Sequence, residues 1–218
     1  MMMQSLSDVI VFDLDDTLYK EVSFVESGFK AVASHLANLS FADEMMSSWI
    51  NGKNAFEQLI GNHSLTSSVE ELLSIYRTHV PTIELETSVV ATLDALVENG
   101  KILGILTDGR SVTQRNKINA LGLHRWFPED NIIISEEFGS SKPDARNYIF
   151  FMSKYPVKTY TYIGDNISKD FVAPKSLGWQ TICLKDNGQN IHSQDFDLGE
   201  EYLPDITVKN ILEIRDLI

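Results

Sequence analysis

Short, unbroken apolar runs recur along this chain, and they restrict its fold more than any other feature. The first is Val9-Ile10-Val11-Phe12; others span Ile102 to Leu106, Ile132 to Ile134, Tyr160 to Ile163 and Thr181 to Leu184, with a weaker one at Ile206 to Val208. A strand with one face in water alternates apolar and polar residues. A continuous run instead suits a strand buried on both faces, as in a parallel sheet covered by helices. The segments between the runs have helical spacing. Val89, Val90, Leu93, Leu96 and Val97 follow the three-to-four period, and Asn99-Gly100 stops that helix. Further helices are predicted over Val112 to Leu121 with Gly122 as the stop, after Pro143, and over Ser168 to Leu177, the last kinked or shortened at Pro174. This alternation predicts an α/β fold, a doubly wound, Rossmann-like parallel sheet.

One region breaks the alternation. Residues 20–85 contain no convincing strand but several helical stretches: Phe24, Phe29, Val32, Ala33 and Leu36; Phe56, Leu59 and Ile60; and Val69, Leu72, Leu73, Ile75 and Tyr76. Asn51-Gly52 and Gly61-Asn62 read as separators. The expected organisation is a catalytic core of residues 1–19 and 86–218 with a small all-helical domain, 20–85, inserted after the first strand. A chain of 218 residues suits one core carrying such an insertion. Residues 186–201 are polar and are expected to form a loop before the last strand.

Lys and Arg number 18 against 31 Asp and Glu, a net charge of −13. That balance opposes binding a nucleic-acid polymer, which needs clustered cations. It leaves room for a small phosphorylated ligand, because one metal ion and one lysine reverse a local field. Cys183 is the only cysteine, so no intrachain disulfide forms. The first residues, MMMQSLSDVIVF, lack the pattern of a secretory signal, and no apolar run approaches membrane-spanning length. A cytoplasmic protein is expected, with the repeated Met1 to Met3 set aside.

The chemistry-bearing residues sit where apolar runs end. Asp13-Leu14-Asp15-Asp16-Thr17-Leu18 follows the first run, placing Asp13 and Asp15 at a strand's carboxyl end, where open α/β sheets bind ligands. Alone, such an acid pair reads as a solvated turn. Gly164-Asp165-Asn166-Ile167-Ser168-Lys169-Asp170, however, places a second acid cluster after another run. Two such clusters make a site for a hard divalent cation, with magnesium the commonest in phosphate chemistry. Between them, Thr107-Asp108-Gly109 ends a strand and offers a hydroxyl and backbone N–H groups to phosphate oxygens, while Lys142 in Ser141-Lys142-Pro143-Asp144 offers an ammonium.

The ordered set DLDDT, TDG, SKPD and GDNISKD resembles the haloacid dehalogenase superfamily, in its phosphatase branch. The likeness covers nearly the whole chain, with the helical insertion as the cap. It implies Asp13 as nucleophile, Asp15 as general acid/base, and Thr107, a backbone amide of Asp108 and Lys142 as phosphoryl-binding groups. It implies Mg2+ held by Asp13, the backbone carbonyl of Asp15 and Asp165, with Asp170 supporting directly or through water. Asp16 stands where many relatives have glycine. The implied partner is a small phosphorylated metabolite, with no nucleic-acid polymer and no membrane, on a monomer or small homo-oligomer. The family's dehalogenases lack an acid at the position of Asp15, because halide leaves without a proton; Asp15 therefore favours phosphoryl transfer. A receiver-type phosphoacceptor domain uses the same residue types, but there the acid pair precedes the phosphorylated aspartate, and no cap is inserted. Phosphonate cleavage would need an imine-forming cap lysine, and Lys30 and Lys53 are the candidates in the insertion.

Overall fold

All six apolar runs are strands, and every pairing between them is parallel. The computed structural model describes residues 8–217, so Met1 to Met3 lie outside the described residues. The strands are β1 (Val9–Phe12), β2 (Ile102–Thr107), β3 (Ile132–Ile134), β4 (Tyr160–Gly164), β5 (Gln180–Leu184) and β6 (Ile206–Val208), in the sheet order β3-β2-β1-β4-β5-β6. β1 lies inside the sheet, and all four of its side chains are wholly buried. Its residues divide between the two faces: Ile10 and Phe12 join one apolar cluster with Leu93, Ile105 and Ile163, while Val9 and Val11 join another with Tyr148, Phe151 and Trp179. Two buried faces explain why the run is continuous.

The sheet order reverses between β1 and β4. The chain leaves β1 towards β2 and leaves β4 towards β5, so the loops at the carboxyl ends of these neighbours diverge and open a crevice. Phe12 pairs with Ile105 on one side and Ile163 on the other. Asp13, Thr107 and Asp165 therefore emerge at nearly the same level.

Five helices accompany the strands: α5 (Thr87–Glu98), α6 (Ser111–Ala120), α7 (Ser135–Phe138), α8 (Arg146–Lys154) and α9 (Val172–Ser176). The last is shorter than the sequence spacing predicts. Residues 166–170 form a turn instead, in which the Asn166 side chain accepts from the N–H and hydroxyl of Ser168 and the Asn166 carbonyl accepts from Asp170. Pro174 sits in the first turn of α9, where its missing N–H costs nothing.

Between β1 and α5 the chain forms α1 (Glu21–His35), α2 (Phe41–Ile50), α3 (Ala55–His63) and α4 (Val69–Thr78), which share an apolar cluster including Phe29, Val32, Met45, Phe56, Leu59 and Leu72. Two details differ from the sequence reading. α2 is an additional helix, packed through Phe41, Met45 and Trp49 at four-residue spacing. Gly61-Asn62 lies inside α3, and the break comes at Ser64, in the left-handed region at φ 50°. Residues 186–201 contain no regular element. Among the described residues, no helix is long and apolar enough to cross a membrane.

Candidate active site

Asp13 directly follows β1, and its N–H donates to the Ile163 carbonyl at 2.8 Å, which fixes it beside β4. Its carboxylate is buried, with Oδ1 2.8 Å from Lys142 Nζ. The lysine comes from the stretch between α7 and α8, and no part of its side chain reaches solvent. The same ammonium lies 2.8 Å from Asp170 Oδ1 and donates to Tyr162 Oη at 3.1 Å. The 166–170 turn brings Asp170 back under the end of β4, where Oδ2 accepts the N–H groups of Asp165 and Asn166. Gly164 is needed there, since a Cβ would collide with the Asp170 carboxylate.

Asp13, Asp165 and Asp170 each present an oxygen within 4.8 Å of the others. Burial pushes Asp13 up to about 7, with Lys142 opposing and Asp170 adding to the rise. Burial likewise takes Asp165 to about 8, reinforced by the charges of Asp13 and Asp170. For Lys142, burial favours the neutral amine, but Asp13 and Asp170 outweigh it and hold the ammonium well above its ordinary range. Three buried carboxylates thus share one ammonium. An uncompensated buried charge costs several kcal/mol, roughly, so this arrangement fits a divalent cation. The donors are all hard oxygens, which suits Mg2+ rather than a metal preferring nitrogen or sulfur.

Asp15 turns to the other side of the crevice. Its Oδ1 accepts from Tyr19 Oη at 2.5 Å and from Lys117 Nζ at 2.7 Å, and its Oδ2 accepts from Gln114 Nε2 at 2.8 Å. The same Gln114 nitrogen donates to Thr107 Oγ1 at 2.6 Å, so one amide joins the end of β2 to the acid after β1. Burial raises Asp15, but Lys117, Tyr19 and Gln114 together outweigh it and hold the carboxyl below its ordinary range. Glu21, the first residue of α1, places Oε1 3.4 Å from Lys117 Nζ. Burial and then the charge of Asp15 push Glu21 up to about 7.

The next residue, Asp16, has φ 56°, a left-handed conformation that explains the preference for glycine there. The aspartate is useful as well as tolerated. It accepts from the Glu21 N–H at 3.0 Å and from the Ile191 N–H at 2.9 Å. Asp108 acts through its side chain: Oδ1 accepts from the Lys142 N–H at 3.0 Å, and Oδ2 lies 3.4 Å from Lys169 Nζ. A polar cavity of about 130 Å³ is lined by Asp13, Asp15, Thr107, Asp108, Asp165 and Lys169, with Asp16, Glu21, Asn166 and His192 completing its wall.

The seven residues singled out in the sequence thus meet at one site: five line the cavity, and Lys142 and Asp170 lie behind Asp13. Arg110 instead lines a separate groove with Ser135 and Glu136. Trp49, Phe56 and Tyr76 pack in the apolar cluster of α1–α4. Lys30 and Lys53 are exposed and do not line the cavity. Sequence reading missed Gln114 and Lys117, both buried on α6. Their three-residue spacing on one face of a helix poor in apolar residues was the available signal. It also missed the loop after β5, where Asn190 donates to Asp165 Oδ2 and Gln194 to the Asp165 carbonyl, both at 2.8 Å. Nothing in the spacing of that loop marks them.

A sequence model of the haloacid dehalogenase-like hydrolases matches residues 10–184. The chain belongs to that family. This hydrolase lies in the phosphatase branch. It is 27% identical to the glyceraldehyde 3-phosphate phosphatase of Methanocaldococcus jannaschii over 96% of each chain. It is 26% identical to the phosphoglycolate phosphatase of Agrobacterium fabrum, over 81% of this chain and 80% of that one. Among solved structures, the magnesium-bound HAD-hydrolase YfnB of Bacillus subtilis matches the hydrolase with a TM-score of 0.69 at 16% identity, covering 98% of each chain. That likeness speaks for the fold.

Proposed function

We propose that this hydrolase is a Mg2+-dependent phosphatase that passes the phosphoryl group of a small phosphorylated metabolite through an aspartyl-phosphate on Asp13. The observation carrying this reading is the contrast between two neighbouring acids. Asp13 meets Lys142 in the cluster that fits a metal, whereas Asp15 is held apart by Tyr19, Lys117 and Gln114. One is placed to attack phosphorus and the other to handle a proton.

Asp13, the Asp15 carbonyl and Asp165 would hold Mg2+, which when bound supplies charge neutralisation for the phosphoryl oxygens. Both oxygens of Asp170 already face Lys142 and two backbone N–H groups, so its role is to brace rather than to coordinate directly. Thr107, the Asp108 backbone amide and Lys142 grip the phosphoryl group. An Asp13 oxygen forms the bond to phosphorus while the ester P–O bond breaks, and Asp15 gives its proton to the leaving oxygen. Because Asp15 is ionised in the free protein, that proton arrives with the substrate, as the added phosphoryl charge raises the carboxylate's proton affinity. Asp15 then takes a proton from water as the water oxygen attacks phosphorus, releasing phosphate and restoring Asp13.

Residues 20–85 act as the cap, closing over the cavity and excluding water. The relatives' names point to small two- and three-carbon phosphates. A cytoplasmic location, and a monomer or small homo-oligomer, suit such an enzyme. Halide removal would leave Asp15 without a task, and phosphonate cleavage would need an imine-forming lysine where Lys30 and Lys53 are exposed. The test is a Mg2+-supported screen over phosphorylated metabolites with Asp13→Asn as control. Turnover that survives Asp13→Asn in a folded protein would overturn the nucleophile assignment.

A further inference from the structure

We propose that Glu21 determines specificity: it turns away substrates whose leaving group carries a carboxylate and admits uncharged hydroxyl- or carbonyl-bearing ones. This inference rests on the phosphatase reading. Attack by Asp13 is in line, so the leaving group departs on the far side of phosphorus, towards the proton donor Asp15. Asp15 and Glu21 both line the cavity and both face Lys117, which places Glu21 on that side.

Their compensation is unequal. Both carboxylates face one ammonium, Lys117, at 2.7 and 3.4 Å. That lysine side chain is only 3% exposed, lies 4.4 Å from the centre of the Phe24 ring, and does not line the cavity. A leaving group thus meets the Glu21 carboxylate in front and the buried ammonium behind it, while Asp15 carries the proton it donates. The other cations are committed elsewhere: Lys142 to Asp13 and Asp170, and Lys169 to Asp108. His79, beyond the end of α4, bonds to Ser27 Oγ and the Tyr76 carbonyl, and burial holds its imidazole towards the neutral form. Among the described residues, the basic side chains of the cavity wall are Lys169, beside Asp108, and His192, next to Ile191, whose N–H bonds to Asp16. Like charges placed together on the Glu21 side oppose binding strongly.

The two phosphatase relatives described above differ in this respect, since phosphoglycolate carries a carboxylate and glyceraldehyde 3-phosphate does not. The experiment measures kcat/KM with Mg2+ at pH 8, above the value of about 7 to which Glu21 is pushed, for glyceraldehyde 3-phosphate, glycerol 3-phosphate, phosphoglycolate and 3-phosphoglycerate. The uncharged leaving groups should be favoured by about tenfold or more, and Glu21→Gln should shrink that ratio by about tenfold, chiefly through KM. Glu21→Asp, which keeps the charge, should restore it. Equal use of both substrate classes by the unaltered enzyme, or a ratio that Glu21→Gln leaves unmoved, would overturn the inference. The unaltered enzyme's ratio decides the matter alone should Glu21→Gln fail to fold. Absence of all turnover by the unaltered enzyme, including that of p-nitrophenyl phosphate, would instead overturn the phosphatase reading beneath it.

Discussion

Asn190 donates a hydrogen bond to Asp165 Oδ2 at 2.8 Å, so a residue from the polar loop after β5 orients an acid of the metal-fitting cluster. The other end of the Asn190 amide accepts from Lys20 Nζ at 2.6 Å, which anchors it. Partners that orient a metal-binding carboxylate typically affect affinity by about 10- to 100-fold. Asn190→Ala should therefore raise the Mg2+ concentration giving half-maximal activity by about tenfold, while the far-ultraviolet circular dichroism stays the same. An unchanged Mg2+ requirement would count against this role.

The cluster also predicts how stability responds to pH and metal. Asp13 is raised to about 7 and Asp165 to about 8, against an ordinary value of 3.8. Between pH 4 and 8, roughly, the folded metal-free protein therefore holds more protons at these sites than the unfolded chain. Their contribution to stability is greatest below about pH 4 and declines as pH rises through 7 and 8. Mg2+ favours the ionised form, so its stabilising effect should run the other way. Thermal unfolding with EDTA or excess Mg2+ should show a larger metal-induced rise in midpoint at pH 8 than at pH 6. A rise independent of pH would be inconsistent with these buried acids.

Lys142→Met removes the one ammonium between Asp13 and Asp170. Turnover should fall by about a thousandfold, the scale seen when a charge-stabilising group is lost. The metal-free protein should also lose about 3–5 kcal/mol, as expected when a buried ion pair is broken from one side. Urea unfolding would measure this, and Mg2+ should restore part of it by supplying positive charge to the same carboxylates.

Lys117→Met tests the opposite side of the crevice. This lysine acts through Asp15, so its loss should matter most where the leaving oxygen needs a proton. An alkyl phosphate should slow by at least about tenfold more than p-nitrophenyl phosphate, whose leaving group is far less basic. Equal slowing of the two would assign Lys117 a purely structural part.

The sheet was legible in the sequence because burial on both faces leaves a local trace, the uninterrupted run. Asp13, Thr107, Lys142 and Asp165 were legible because each stands beside such a run or in a short ordered motif. Gln114 and Lys117 were harder to see, since a polar residue on a helix usually faces water; only the fold shows that this face of α6 turns inward. Asn190 and Gln194 left no trace, because an irregular loop has no period from which direction can be read. Helix α2 was obscured by Asp43, Glu44, Ser47 and Ser48 interrupting its apolar stripe. Gly61 was misleading for the opposite reason. Its open surroundings let a helix pass through a residue that costs only about 1 kcal/mol there.

The strand order has a kinetic consequence. Asp15 and Lys117, which meet at 2.7 Å, are 102 residues apart in the chain, and Asp13 meets Lys142 only after β1 has been enclosed between β2 and β4. The contacts among α1–α4, by comparison, join neighbours in sequence. Loop-closure entropy delays the first kind of contact and hardly touches the second. During refolding, helical signal should therefore return well before turnover. A nascent chain could display a formed set of α1–α4 helices while having no assembled site at all, because the groups of the candidate site are brought together only by the last closures of the sheet.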